Sequence, residues 1–188
     1  PDRARALECF VRDYDNFRET LHLSIQHQAI DVAMGLCRHL FRVWLASGLL
    51  VEGRRSIDLA LALPGSVDPP LKAAVLYIAS VLALHQGQNE SAHAYLLESI
   101  ASSRESGNTE GLANALIYLG IVELSQDLDL ETILNHIHEG IELSRTIDSP
   151  TTTIFGLTKA GSALLHHGQY ESAIDYAAQS LAVWSTFP

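Results

Sequence analysis

The stretch GQNESAHAYLLESIASS, Gly87 to Ser103, returns as GQYESAIDYAAQSLAVW, Gly168 to Trp184. The interval between the copies, 168 − 87 = 81, is close to twice 40, so a third should stand midway. It does: DLDLETILNHIHEGIELSR, Asp127 to Arg145, has the same order of small and apolar residues with one residue inserted. Ala92, Ile133 and Ala173 open the inner faces of three equivalent helices at intervals of 41 and 40, and Ser99, Gly140 and Ser180 repeat those intervals. A more divergent copy, GLLVEGRRSIDLALAL, starts at Gly48, where Gly53 and Ala60 precede Ala92 and Ser99 by one equal interval (92 − 53 = 99 − 60 = 39). A fixed period in this range marks a repeat architecture, in which each unit buries its apolar face on its neighbours.

The unit is helical. After Gly87, the residues Ala92, Tyr95, Leu96, Ser99, Ile100 and Ser103 recur at steps of three and four, which makes one stripe on a helix. The six prolines (Pro1, Pro64, Pro69, Pro70, Pro150 and Pro188) fall at ends or connections, where a missing N–H does no harm. Glycines near Ser47, His85, Glu105 and His166 mark helix ends in the left-handed conformation. Asn89, Thr109 and Ser149 are placed to cap the helices that follow. The pattern predicts a helix or helix pair over 3–28, then helices over 30–47, 50–62, 70–86, 89–106, 109–126, 130–147, 150–167 and 169–186. No segment alternates with period two, so no strand is expected. The predicted fold is all-α: a right-handed solenoid of antiparallel hairpins. It forms a single domain with repeats over about 30–62, 70–106, 109–147 and 150–186.

Composition narrows the function. The chain has 188 residues, 47% of them hydrophobic and 18% charged, and a formal net charge of −10. That is enough apolar material for a core. The charge is uneven: 8 basic and 7 acidic residues up to Arg55 leave 4 basic and 15 acidic beyond it, +1 against −11. An acidic surface repels phosphate, so no direct nucleic-acid contact is expected. Cys9 and Cys37 lie in helical patterns and read as small buried residues. No secretory leader or membrane-length apolar run occurs, which predicts a cytoplasmic protein without membrane contact. The opening on Pro1 predicts a fragment of a larger protein.

Each predicted first helix carries a small residue at its middle (Ser80, Gly120, Gly161), and the turn follows seven residues later. Small residues there let two backbones approach closely. With the small pair of the second helix, this unit resembles the tetratricopeptide repeat in a form of about 40 residues. Phe41 stands in the small position of the earliest copy. The N-terminal third is similar to something narrower. YDNFRETLHLSIQ from Tyr14 and LFRVWLASGLLVEGRRSIDLALAL from Leu40 resemble the start of the repeat domain in bacterial LuxR-type and AfsR-like signal-transduction ATPases. The residues that carry this are Asp15, Asn16, Arg18, Phe41, Trp44, Gly48, Glu52, Gly53, Arg54 and Arg55. The resemblance implies a sensor or partner-binding arm that restrains or releases an ATPase in a transcriptional regulator.

Motifs for chemistry are missing. Lys72 and Lys159 are the two lysines, and neither ends the Gly-rich loop a nucleotide site needs. His136 and His138 are two apart on a helix and face different ways, as do His166 and His167, so neither pair converges on an ion. Glu52 with Arg55, and Glu171 with Asp175, read as solvated faces. No active site, cofactor or metal is expected. The functional surface is instead the concave groove lined by first helices, which suits a protein or peptide, or a small-molecule effector. One turn either side of the mid-helix small residue stand Arg38 and Arg42; Tyr77, Val81 and His85; Asn114, Ile117, Tyr118 and Ile121; and Phe155, Thr158, Lys159, Ser162 and His166. Arg38 and Arg42 together suit a carboxylate; their competing reading is pairing with Asp13 or Glu19. The aromatic trio reads equally as packing between helices. A second candidate surface is the last helix, where Ile174, Ala177, Leu181 and Trp184 form an apolar stripe. It predicts either further repeats or self-association.

Overall fold

The computed structural model describes residues 13–186. Cys9 and the predicted helical segment 3–12 lie outside them. The described chain is a succession of helices: α1 Tyr14–Gln26, α2 Ile30–Ala46, α3 Leu50–Leu61, α4 Pro69–His85, α5 Asn89–Ser106, α6 Thr109–Ser125, α7 Leu130–Thr146, α8 Pro150–His166 and α9 Tyr170–Ser185. From α2 onward each begins and ends within one residue of the boundary read from the sequence.

Seven of the eight turns among the described residues are built alike; the 62–68 connection between α3 and α4 is longer and differs. One residue per turn takes positive φ: Gln28, Gly48, Gly87, Gly107, Asp127, Asp148 and Gly168. The next residue's N–H then reaches back five residues to a carbonyl, as in Ala29 to Ser24, Gln88 to Ala83 and Gln169 to Leu164, at 2.8–2.9 Å. This Schellman closure satisfies carbonyls that the helix end would leave open. It also corrects two caps. After Gly87 and Gly107 the next residue, Gln88 or Asn108, is itself the N-cap, so Asn89 and Thr109 are first helical residues. Asn108 and Asp129 do the capping, accepting from the Gly111 N–H at 3.0 Å and the Thr132 N–H at 2.9 Å. Ser149 is an N-cap by position, but its hydroxyl donates to Thr152 Oγ1 at 3.1 Å.

Consecutive helices pack as antiparallel hairpins, α2–α3, α4–α5, α6–α7 and α8–α9, and each hairpin rests on the next. First helices touch first helices (α2 on α4, α4 on α6, α6 on α8), while the backbones of α5, α7 and α9 stay apart. The stack therefore curves with the first helices inside. It is an all-α solenoid.

Close approach centres on glycine. A Cβ on Gly120 would stand 2.5 Å from Ile137 and 3.0 Å from the Ile133 carbonyl oxygen, and one on Gly140 would stand 2.7 Å from the Ala113 oxygen. At Gly161 the expectation fails: the nearest atoms, at 3.4 and 3.5 Å, belong to Ala173 and Tyr176, so the last hairpin is more open. Ser80 and Ser99 are buried, and Ser99 donates to the Ala73 carbonyl at 2.8 Å. The N-terminal motif residues also pack. Gly53 lies against the Trp44 ring, Trp44 Nε1 donates to the Tyr14 hydroxyl at 2.9 Å, and that hydroxyl donates to Glu52 at 2.8 Å. Burial and the Glu52 carboxylate push the Tyr14 pKa up to about 12. Phe41 joins the same core, as does buried Cys37.

Candidate functional site

The first helices bring three of the predicted aromatic residues into one row. The Tyr77 and Tyr118 rings meet edge to face, with centroids 5.0 Å apart and an interplanar angle of 86°. Tyr118 stacks on Phe155 at 5.4 Å and 26°, and the Lys159 ammonium lies 5.3 Å from the Phe155 centroid. The row crosses α4, α6 and α8, each ring half-buried. Burial drives the Tyr77 hydroxyl far above its ordinary pKa and raises Tyr118 as well, so both remain neutral donors. Such a row is a firm apolar floor with a cation at one end.

Around it the predicted residues divide. Arg38 and Arg42 on α2 are exposed, one turn apart, and neither has an ion-pair partner among the described residues. The intramolecular pairing with Asp13 or Glu19 is thus not formed. His85, Thr158, Ser162 and His166 are exposed. Asn114 is half-buried and donates to the Glu110 carbonyl at 3.0 Å, one turn back. His166 stands 3.8 Å from Asp127. Val81 is corrected: at 1% exposure it is core and offers nothing to a ligand, and Ile117, at 0%, is the same. Ile117 is turned onto α7 and α8, where a Cβ on Gly140 would stand 2.7 Å from it and one on Gly156 3.0 Å.

The two layers carry different charge. Helices α2, α4, α6 and α8 hold Arg38, Arg42, Lys72 and Lys159 against Asp31, Glu110 and Glu123, 4 − 3 = +1. Helices α3, α5, α7 and α9 hold 4 basic and 10 acidic residues, 4 − 10 = −6. One of the three inner acids, Glu123, is buried and bound to His136 Nδ1 at 2.8 Å. That pair was not legible in the sequence: its members lie on adjacent helices across a turn, and no spacing rule links them. Outer helices are laced by long side chains. Arg54 lies 4.9 Å from the Tyr95 centroid, the Tyr95 hydroxyl donates to Asp58, and Arg104 pairs with Glu139 at 3.1 Å. His138 stacks on Tyr176 and bonds its hydroxyl at 2.6 Å; burial lowers the His138 pKa. His136 and His138 do face different ways.

Among the described residues no group of three or more His, Cys, Asp or Glu converges as a metal ligand set, and no helix is long and apolar enough to cross a membrane.

No family model matches the chain, and no curated protein matches it. Solved structures do. BtubC (BKLC) from P. vanneervenii aligns with a TM-score of 0.74 at 13% identity, over 96% of this chain and 77% of that one. A Podosopora anserina protein described as a kinesin light chain with nearly identical TPR-like repeats gives 0.65 at 16%, over 99% and 97%. MamA gives 0.64 at 17%, over 93% and 92%. At these identities the likeness establishes a fold shared with TPR-like repeat proteins.

Proposed function

We propose that this chain is a non-catalytic protein-interaction arm whose concave face holds an acidic peptide segment of a partner. The observation that supports it most is the separation of charge between layers. A chain of net charge −10 keeps its inner helices at +1, with Arg38 and Arg42 exposed on α2 and an aromatic row across α4, α6 and α8. Glutamate or aspartate side chains would pair with the guanidiniums, and apolar side chains between them would rest on Tyr77, Tyr118 and Phe155. The acidic outer layer would turn the same ligand away from the convex side.

The similarity of the N-terminal third to signal-transduction ATPases supports a finer reading. The arm belongs to a cytoplasmic multidomain transcriptional regulator, where occupancy of the groove restrains or releases a nucleotide-binding module. A free-standing peptide receptor of the same fold is the second reading, favoured by the exposed arginine pair.

The probe is a labelled Glu/Tyr copolymer titrated by fluorescence anisotropy. Binding is expected to weaken at least tenfold in an Arg38→Ala, Arg42→Ala double variant and to fall with added salt. The isolated chain is expected not to bind ATP. Equal binding by the wild type and the double variant would overturn the groove assignment. A parent protein without a nucleotide-binding module would leave the receptor reading standing and remove the regulator.

A further inference from the structure

One step of the stack lacks a helix among the described residues. Every first helix after α2 enters the preceding hairpin with the same four positions, each row one repeat interval from the next. They are Val75, Leu76, Ala79 and Leu82 in α4; Ala115, Leu116, Leu119 and Val122 in α6; and Gly156, Leu157, Ala160 and Ala163 in α8. Leu116 and Leu119 pack in one cluster with Leu96 and Ile100 of α5; Leu157, Ala160 and Ala163 pack with Ile133, Ile137 and Ile141 of α7. Gly156 sits so close that a Cβ would meet Ile141 at 2.5 Å. The entering helix thus reads small or β-branched, apolar, two of any kind, apolar, two of any kind, apolar.

The corresponding cleft between α8 and α9 stands open. It measures about 620 Å³, with Leu157, Gly161 and Leu165 on one wall and Ile174, Ala177 and Leu181 on the other. Leu181 is 69% exposed, whereas its counterpart one hairpin earlier, Ile141, is 2% exposed.

A helix with this spacing is present, exposed, on α9 itself: Ala177, Ala178, Leu181 and Trp184 follow one another at the same steps of one, three and three. Tyr170, Ile174, Ala177, Leu181 and Trp184 follow at steps of four, three, four and three, the spacing with which two helices lie along one another. The residues flanking that seam, Ala173, Ala178 and Ser180, are small. The charges of α9, Glu171 and Asp175, sit near its start, so an antiparallel pair keeps the two acidic ends apart.

We infer that the chain forms a two-fold homodimer in which α9 of each copy lies antiparallel in the α8–α9 cleft of the other. The interface is isologous, each copy supplying both cleft and occupant. In that register Ala177 meets Leu181 of the second copy and Ile174 meets Trp184 of the second copy, small or branched against large. This surface is distinct from the concave groove and does not depend on what the groove binds.

Sedimentation velocity of the intact chain tests it, from ~1 μM to ~1 mM, a range that brackets ordinary dimer affinities. The mass is expected to rise to twice that of the chain. Leu181→Glu and Ile174→Glu each hold it at the monomer. Because both side chains are exposed in the single copy, circular dichroism and the melting temperature at low concentration stay at wild-type values. The Arg38→Ala, Arg42→Ala variant dimerises as the wild type does. A monomer across the whole range overturns the inference, as does a dimer that survives both substitutions. A monomer that instead takes up a peptide copying residues 150–167 assigns the cleft to a foreign helix, and overturns it too.

Discussion

At single positions, the repeat is written in backbone conformation as much as in side chains. Four of the seven left-handed turn residues are glycine, and the sequence shows them directly. Gln28, Asp127 and Asp148 hold the same conformation without announcing it, because residue type signals positive φ reliably only when it is glycine. The cost of this is measurable. Nothing lies within 4 Å of a Cβ on Gly87, so Gly87→Ala probes backbone strain alone. It is expected to cost about 1 kcal/mol in denaturant unfolding, and Gln28→Gly to gain about 0.5 kcal/mol. A neutral Gly87→Ala would mean that the turn geometry does not constrain the stack. The site was legible to the same depth. Tyr77, Tyr118 and Phe155 were visible by register. Burial of Val81 and the Glu123–His136 pair depend on how neighbouring helices meet, which no single helix records.

At the level of the helix, small residues have unequal work. Gly120 and Gly161 occupy equivalent positions and look alike in sequence, yet α6 is pressed onto Ile133 and Ile137 while α8 is in ordinary contact with α9. Gly120→Ala is therefore expected to destabilise by about 1–3 kcal/mol through overpacking. Gly161→Ala is expected to stabilise by about 0.5–1 kcal/mol, the ordinary gain of alanine in a helix interior. Thermal melts of the two variants side by side check this. Equal effects would mean that the hairpins are packed alike to the end of the described chain. The difference accompanies the open α8–α9 cleft: the hairpin with a described helix on its far side is tight, and the one with none among the described residues is slack. The helix boundaries were readable because apolar period and turn glycines agree. The cap assignments slipped by one residue because one residue both closes a helix and starts the next.

Across the whole molecule, the fold followed from a period of about 40 residues, since a unit that cannot bury its own apolar face must stack. Handing the inner layer +1 and the outer layer −6 is what makes the stack a directional surface. The claim beneath every functional statement is that the hairpins form an open curved stack, each helix meeting only near neighbours in sequence, with the first helices exposed along the inside. Small-angle X-ray scattering on the Leu181→Glu variant, held as a monomer, tests that most directly. A compact chain of this length has a radius of gyration of about 16 Å. The stack predicts a value several ångströms larger, with a distance distribution tailing to long separations; a value at the compact figure with a symmetric distribution would contradict it.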